Sequence, residues 1–288
     1  MTEKVIQVEN LSFSYNNSST NVLNNLNFSI YKGEIFGFLG PSGAGKSTTQ
    51  KILYKLLNTF TGHVKVNQQD IKNTGSEYYE SIGVGFELPN HYLKLTGLEN
   101  VKLFASFYDN KNIENFESLF AMVGLEDSIN NTVESYSKGM QMRLNYIRAI
   151  MHNPDVLFFD EPTAGLDPIN AKIIKQHILM LKEQGKTVFI TTHDMTIADQ
   201  LCDRIALLVD GEIICIDQPD KLKKSHGKNA VKVDSVNGQI KEFNLDGLGD
   251  NYDFLKFIKD NPIKNIKTLE ASLEEVFIKM TGKELKND

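Results

Sequence analysis

Cysteine is almost missing from this chain: Cys202 and Cys215 are the two in 288 residues. Their spacing fits neither a metal site nor a redox pair, which argues against a zinc site and against a disulfide scaffold. Basic residues are in no excess. With 31 Lys and Arg against 37 Asp and Glu, the net charge of −6 gives no overall pull toward nucleic acid. No apolar run approaches the roughly 18–20 residues that cross a bilayer. The opening MTEKVIQVEN has no basic stretch followed by an apolar core, so no signal peptide is read there. Internal repeats, heptads and low-complexity tracts are also missing. What remains is a globular composition, 41% hydrophobic and 24% charged, long enough for one large domain or a main domain with an appendix. The expectation is a soluble, intracellular protein that touches a membrane only from its face.

The chain begins with strands and turns: Val5 to Val8, an Asn/Ser-rich turn at Asn16–Asn21, then Leu26 to Ile30. Glu34 to Leu39 is a short apolar run that ends at a glycine, and a helical stretch follows from Lys46 to Leu57. Strand, glycine-rich loop and helix open an α/β unit. From about Leu88 to Met151 no convincing strand appears, and Met140, Leu144, Ile147 and Met151 mark one face of a helix. The α/β pattern then resumes. Val156–Phe159 reads as a buried strand, Asp167 and Pro168 as a helix start, Gln184 and Gly185 as its end, and Thr187–Thr192 as a further strand. Ile205–Val209 and Glu212–Ile216 flank Asp210-Gly211 as a hairpin. Beyond about Lys221 the chain becomes lysine-rich. Ala230–Val236 and Gln239–Leu245 flank Asn237-Gly238 as a second hairpin, and Ser272 with Glu275 forms a capping box ahead of Leu273, Val276, Phe277 and Met280.

The most specific element is Gly40-Pro41-Ser42-Gly43-Ala44-Gly45-Lys46-Ser47, followed by Thr48. It matches the phosphate-loop pattern in full, between a strand and a helix. The glycines let backbone N–H groups converge on phosphate oxygens, and the helix directs its positive end there. Lys46 is expected to neutralise the β- and γ-phosphates, and Ser47 to offer a hydroxyl to Mg²⁺. Val156-Leu-Phe-Phe-Asp160-Glu161 is an apolar strand ending in two carboxylates, whose side chains point to opposite sides and can take different tasks. Asp160 suits Mg²⁺, and Glu161 suits orienting or deprotonating the attacking water. The guanine-reading motif Asn-Lys-x-Asp is absent, which disfavours a GTPase.

Ser135-Tyr-Ser137-Lys138-Gly139-Met140-Gln141-Met142-Arg143 resembles the signature loop of the ATP-binding subunits of ABC transporters, in a form familiar from drug- and peptide-exporter branches. The resemblance covers about residues 3–220, and the closing Ser-Leu-Glu-Glu-Val-Phe resembles exporter-branch tails. It implies that Tyr15 stacks on adenine, that Ser137 and Gly139 contact phosphate, that Ala164-Gly-Leu-Asp167 is the D-loop, and that His193 in Thr-Thr-His-Asp is the switch histidine on the γ-phosphate. Lys46, Glu161 and His193 are then the catalytic set. Other readings stay open: Tyr15 as a strand aromatic, Ser137 and Asp167 as helix caps, His193 as structural, and the Met140 stripe as plain packing. Two departures stand out. Glu87 occupies the position of the Q-loop glutamine, where a carboxylate remains a hard oxygen ligand for Mg²⁺. Lys138 replaces the first signature glycine, either adding a cation near a partner's nucleotide or lying solvated.

The fold implied is a three-layer α/β phosphate-loop NTPase core with an antiparallel β portion. Residues 1–221 form the ATPase domain, with a helical subdomain at about 88–150, and 222–288 form a small α+β appendix. The function implied is ATP hydrolysis that powers export of a hydrophobic drug, an antimicrobial or amphipathic peptide, or a lipid. The pathway belongs to a separate membrane-spanning permease, docked near Leu88–Phe107 at the cytoplasmic face of the plasma membrane. ATP and Mg²⁺ are the cofactors, a second ATPase subunit (a homodimer being allowed) completes the site, and no nucleic acid is expected. The competing readings are a soluble ABC ATPase outside any transporter and a nucleotide sensor without turnover.

Overall fold

In the computed structural model, residues 3–15, 20–109, 113–227, 229–269 and 271–282 are described. The chain divides into two compact units, Met1–Ile216 and Asp217–Asp288. The first begins with an antiparallel sheet made from β1 (Lys4–Phe13), β2 (Leu23–Tyr31), β4 (Thr61–Val66) and the short β5 (Gln69–Asp70), in the order β2-β1-β4-β5. Most of the turn expected at Asn16–Asn21 lies outside the described residues. Alternation on β1 buries Ile6, Val8, Leu11 and Phe13, as a half-buried strand requires.

The second sheet is six-stranded, in the order β10-β9-β3-β8-β7-β6. Its strands are β3 (Ile35–Leu39), β6 (Ile82–Gly85), β7 (Val156–Asp160), β8 (Thr187–Thr192), β9 (Arg204–Val209) and β10 (Glu212–Asp217). The pairs β3–β8, β3–β9, β6–β7 and β7–β8 are parallel. β3 and β8 are buried along their whole length, which explains their unbroken apolar or β-branched sequences. Phe28 of β2 stacks near Phe36 and Phe38 of β3 at centroid distances of 5.9 and 4.9 Å, and Phe38 lies 5.0 Å from Phe189 of β8. These rings join the two sheets into one core.

Helices connect the parallel strands: α1 (Lys46–Leu53), α2 (Glu77–Glu80), α3 (Gly97–Ala105), α4 (Phe116–Met122), α5 (Lys138–Ile150), α6 (Pro168–Glu183) and α7 (Met195–Leu201). α1 stops at Leu53, short of the expected Leu57, because Lys55 takes a left-handed φ of 61°. The expected helical stretch contains α3, α4 and α5, and among its described residues the β pairing is an isolated bridge, Thr96 to Thr132. A capping box of Thr96 and Glu99 starts α3. The fully buried Asn100 side chain holds the preceding loop, accepting from Tyr92 N–H at 2.9 Å and donating to the Tyr92 and Thr96 carbonyls at 3.0 Å. On α5 the Met140 stripe packs inward, with Leu144, Ile147 and Met151 buried and Met140 half-buried. The β9–β10 hairpin turns at Asp210 (φ 50°) and Gly211 (φ 78°), the left-handed pair expected of an Asp-Gly turn.

The second unit contains α8 (Pro219–His226), β11 (Ala230–Ser235), β12 (Ile240–Asn244), α9 (Tyr252–Asp260), β13 (Ile263–Thr268) and α10 (Leu273–Thr281). Its antiparallel sheet runs β12-β11-β13, and Val231, Val233, Phe243 and Phe257 form its core. α10 begins with the Ser272–Glu275 capping box. Among the described residues no helix is long and apolar enough to cross a membrane.

Candidate functional site

The glycine loop is shaped by what surrounds it. β3 delivers Gly40 so close to β9 that a Cβ there would stand 2.1 Å from the Leu208 carbonyl oxygen. Gly45 turns the chain into α1 at φ 107°, where a Cβ would lie 2.5 Å from Leu23 Cδ2. The β9–β10 turn supports the loop from outside, with Gly211 N–H donating to the Ala44 carbonyl at 3.1 Å and Asn24 N–H donating to the Gly211 carbonyl at 2.8 Å. Lys46 is 8% exposed. Its Nζ donates to the carbonyls of Gly40 (2.7 Å) and Pro41 (3.0 Å), folding the ammonium back over its own loop. Burial pulls the Lys46 ammonium below the ordinary lysine range, opposed by the nearby charges of Glu161, Asp160 and Glu87. Tyr15 is 43% exposed. Its hydroxyl shares a 3.3 Å hydrogen bond with Thr48 Oγ1, and its ring stands edge-on to Phe13.

The two carboxylates at the end of β7 are held by the two threonines at the end of β8. Parallel register places Asp160 beside Thr191, and Thr191 Oγ1 donates to Asp160 Oδ1. Glu161 leaves the strand with φ 49°, and its N–H donates to the Thr191 carbonyl at 2.9 Å. That turn directs Glu161 at the next two residues of β8 and beyond. Oε2 accepts from Thr192 Oγ1 at 2.8 Å, and Oε1 accepts from His193 N–H at 2.8 Å. His193 Nδ1 lies 2.6 Å from the same Oε1, in position to donate. A half-buried carboxylate beside a histidine, a second carboxylate at the strand end and a lysine folded over a glycine loop form a constellation suited to phosphoryl transfer to water.

A family model described as ABC transporter matches residues 23–164. Over 286 residues the chain is 46% identical to a fluoroquinolones export ATP-binding protein of Mycobacterium tuberculosis, covering 98% of this chain and 95% of that protein. The chain belongs to the ABC transporter ATP-binding family. It is also 32% identical over 301 residues to the bacitracin transport ATP-binding protein BcrA of Enterococcus faecalis, covering 97% of each. Among solved structures it is similar to an ATP-binding subunit of an ABC transporter, with a TM-score of 0.70 and 26% identity, over 77% of this chain and 92% of that one. A dimeric ATP-binding cassette in a post-hydrolysis state, bound to ADP and Pi, matches with a TM-score of 0.67 and 30% identity over 74% of this chain and 98% of that one. Like other members of the ABC family, the chain is an ATPase.

Of the remaining motif residues of this ABC subunit, Lys138 and Gly139 group with Gly165 and Leu166. Ser137 caps α5, accepting from Met140 N–H at 3.2 Å. A Cβ on Gly139 would meet the Gly165 carbonyl oxygen and Leu166 Cδ2 at 3.6 Å, so the signature residues stand beside the chain's own Ala164–Asp167 segment. Lys138 lies over Gly165, its Cε 3.2 Å from where a Cβ would be. Asp167 caps α6, accepting from the N–H groups of Ile169 and Asn170 at 3.0 Å. Those bonds and the Asn170 side chain hold its carboxyl below the ordinary range, the Asn170 side chain most strongly. Glu87 is exposed and within electrostatic reach of Lys46. Sequence reasoning missed Thr191, Thr192, Gln50 and Asn145. Gln50 Nε2 donates to the Phe159 carbonyl at 2.9 Å, and Asn145 Nδ2 to the Phe86 carbonyl at 2.7 Å. The signal available for the threonines was a polar pair ending an apolar strand just before a histidine.

Proposed function

We propose that this chain is the ATP-hydrolysing subunit of a membrane exporter whose cargo is a hydrophobic drug, an antimicrobial or amphipathic peptide, or a lipid. The export relatives for fluoroquinolones and bacitracin support that class. The observation that carries the reading is the joining of Glu161, His193 and Lys46 around one loop, with Ser137 and Gly139 grouped elsewhere beside residues 165–166. A site split this way is completed by a second subunit, and a homodimer supplies both halves twice. Residues 1–221 act as the ATPase domain and 222–288 as an accessory domain.

ATP phosphates replace the Gly40 and Pro41 carbonyls as partners of Lys46 Nζ, while Tyr15 leaves Thr48 to stack on adenine. Ser47, Asp160 and Glu87 present oxygen donors of the kind Mg²⁺ takes. The cation, when bound with ATP, neutralises charge on the phosphates. Glu161 accepts a proton from the attacking water, and His193 turns toward the γ-phosphate. Work passes to a separate permease on the cytoplasmic face of the plasma membrane. A cavity of about 310 Å³, lined by Tyr54, Tyr79, Phe86, Phe104, Tyr108 and Arg148, supports docking next to Glu87.

The test is turnover by the wild type and Glu161→Gln, together with recovery of the tagged chain from gently solubilised membranes of its native host. A loss of roughly a hundredfold or more in turnover and a polytopic membrane protein in near-equal amount support the reading. Unchanged turnover removes the ATPase mechanism, and recovery from the soluble fraction alone removes the exporter.

A further inference from the structure

Thr192 is 1% exposed and ends β8 one residue before His193. Its hydroxyl has two partners of opposite kind. Asp194 N–H donates to Thr192 Oγ1 at 3.0 Å, and Thr192 Oγ1 donates to Glu161 Oε2 at 2.8 Å. The backbone donor occupies the oxygen, so the hydroxyl proton is left to point at the carboxylate. Asp194 is itself fixed, because its Oδ1 caps α7 by accepting from Thr196 N–H at 2.8 Å and Ile197 N–H at 3.2 Å. A chain of bonds thus runs from the start of α7 through a buried hydroxyl to one oxygen of Glu161.

We propose that Thr192 is a positioning residue for hydrolysis: it ties Oε2 of Glu161 to the start of α7 and leaves Oε1 as the oxygen that takes the proton of the attacking water. The proposal rests on the reading of Glu161 as the base and assigns its two oxygens different tasks. Oε2 is held from inside the protein by a donor that does not need to move. Oε1 is held by His193, through its N–H and its half-exposed ring. When His193 Nδ1 leaves, Oε1 gains an open acceptor site while Oε2 keeps the carboxylate plane in place. The water O–H bond then breaks, its proton goes to Oε1, and its electron pair forms the new bond to the γ-phosphorus, while the bond from that phosphorus to the β–γ bridging oxygen breaks and its electron pair leaves on ADP. Thr191, the preceding residue of β8, donates in turn to Asp160 Oδ1.

Thr192→Val keeps shape and removes the hydroxyl, and Thr192→Ser keeps the hydroxyl and removes the methyl. The expected result is that Thr192→Val lowers kcat roughly tenfold or more, as loss of a hydrogen bond to a charged group implies, with KM for ATP and affinity for a fluorescent ATP analogue nearly unchanged. Thr192→Ser restores most of kcat. In a Glu161→Gln background, Thr192→Val causes no further loss, since the route through Glu161 is already gone. Equal losses in the Val and Ser variants make the effect one of packing and overturn the proposal, as does wild-type kcat in Thr192→Val or an added loss in the double variant. Failure of Thr192→Val to fold leaves Thr192→Ser to decide: a kcat well below wild type in a folded protein also overturns it. If Glu161→Gln alone turns over at the wild-type rate, the reading of Glu161 as base fails first, and that outcome is distinct from the others.

Discussion

The side-chain amide of Gln50 donates to the carbonyl of Phe159 at 2.9 Å, joining the helix that leaves the phosphate loop to the strand that ends in Asp160 and Glu161. Gln50 is 1% exposed, so neither group has water as a substitute partner. Gln50→Leu conserves the volume and removes this link between α1 and β7, while the Phe159 carbonyl keeps Thr191 of β8 as a partner. The expected cost is about 0.5–1.5 kcal/mol of stability, the net worth of one intramolecular hydrogen bond. Turnover falls as well, because Lys46 and Glu161 stand at the two ends of this link. Denaturant unfolding without nucleotide, paired with an ATPase assay, checks both effects.

Gly40 and Gly43 belong to the same loop yet differ in what an added methyl meets. At Gly43 the φ is 80° and nothing lies within 4 Å of a Cβ, so Gly43→Ala carries only backbone strain, roughly 1–2 kcal/mol. At Gly40 the methyl would overlap a backbone carbonyl of β9, which cannot rotate away as a side chain does. Gly40→Ala is therefore expected to destabilise the protein more than Gly43→Ala. Thermal unfolding of the two variants without ATP gives the order, and the reverse order contradicts it.

These contrasts explain what the sequence made legible. The phosphate loop and the Asp160-Glu161 pair announce themselves because their chemistry fixes residue types at short range. Thr191 and Thr192 do not, because a threonine at the end of a buried strand reads as a β-former. Its hydroxyl acquires a task only through the β7–β8 register. β6 went unread for a related reason. Its Gly83 and Gly85 allow close approach, a Cβ there standing 2.0 Å from the Ala149 carbonyl oxygen and 2.7 Å from Phe159 Cδ1. The same glycines remove the propensity that marks a strand. The over-long α1 reflects Leu56 and Leu57 continuing an apolar pattern, whereas Lys55 breaks the helix and donates its Nζ to Thr74. β4 and β13 also lay outside the reading, being short strands whose pairing partners are distant in sequence, as did the nine-residue helix α9.

Glu87 is one of three carboxylates that bear on the Lys46 ammonium. Replacing it by glutamine removes one of those charges and, on the proposed role of Glu87 as an oxygen donor to Mg²⁺, weakens a hard oxygen donor. Glu87→Gln is expected to raise the Mg²⁺ concentration for half-maximal turnover by roughly two- to tenfold, about 0.4–1.4 kcal/mol, while ATP binding is kept. Mg²⁺ titrations at saturating ATP check this. Unchanged Mg²⁺ dependence, turnover and transport show that the carboxylate has no special part.

His91 gives the protein an acid-sensitive contact between the loop after β6 and α5. Its Nε2 donates to the Gln141 carbonyl at 2.9 Å, and its Nδ1 faces Arg148 Nη1 at 3.1 Å, so Nδ1 must stay an acceptor. Burial above all, with Arg148 adding to it, lowers the His91 pKa to about 4. Below the ordinary value of 6.5 the unfolded chain takes up a proton that the folded chain refuses. The stabilisation is thus complete above pH 6.5 and is lost as pH falls toward 4. Allowing for partial solvent access, the loss from this group is about 1–2 kcal/mol between pH 6.5 and 4.5. His152 and His177, also lowered by burial, add in the same direction. His91→Gln supplies a donor and an acceptor without a titrating proton. Its stability, measured by denaturant unfolding at pH 7 and pH 5, is expected to fall less than that of the wild type, and an equal fall assigns the acid sensitivity to other groups.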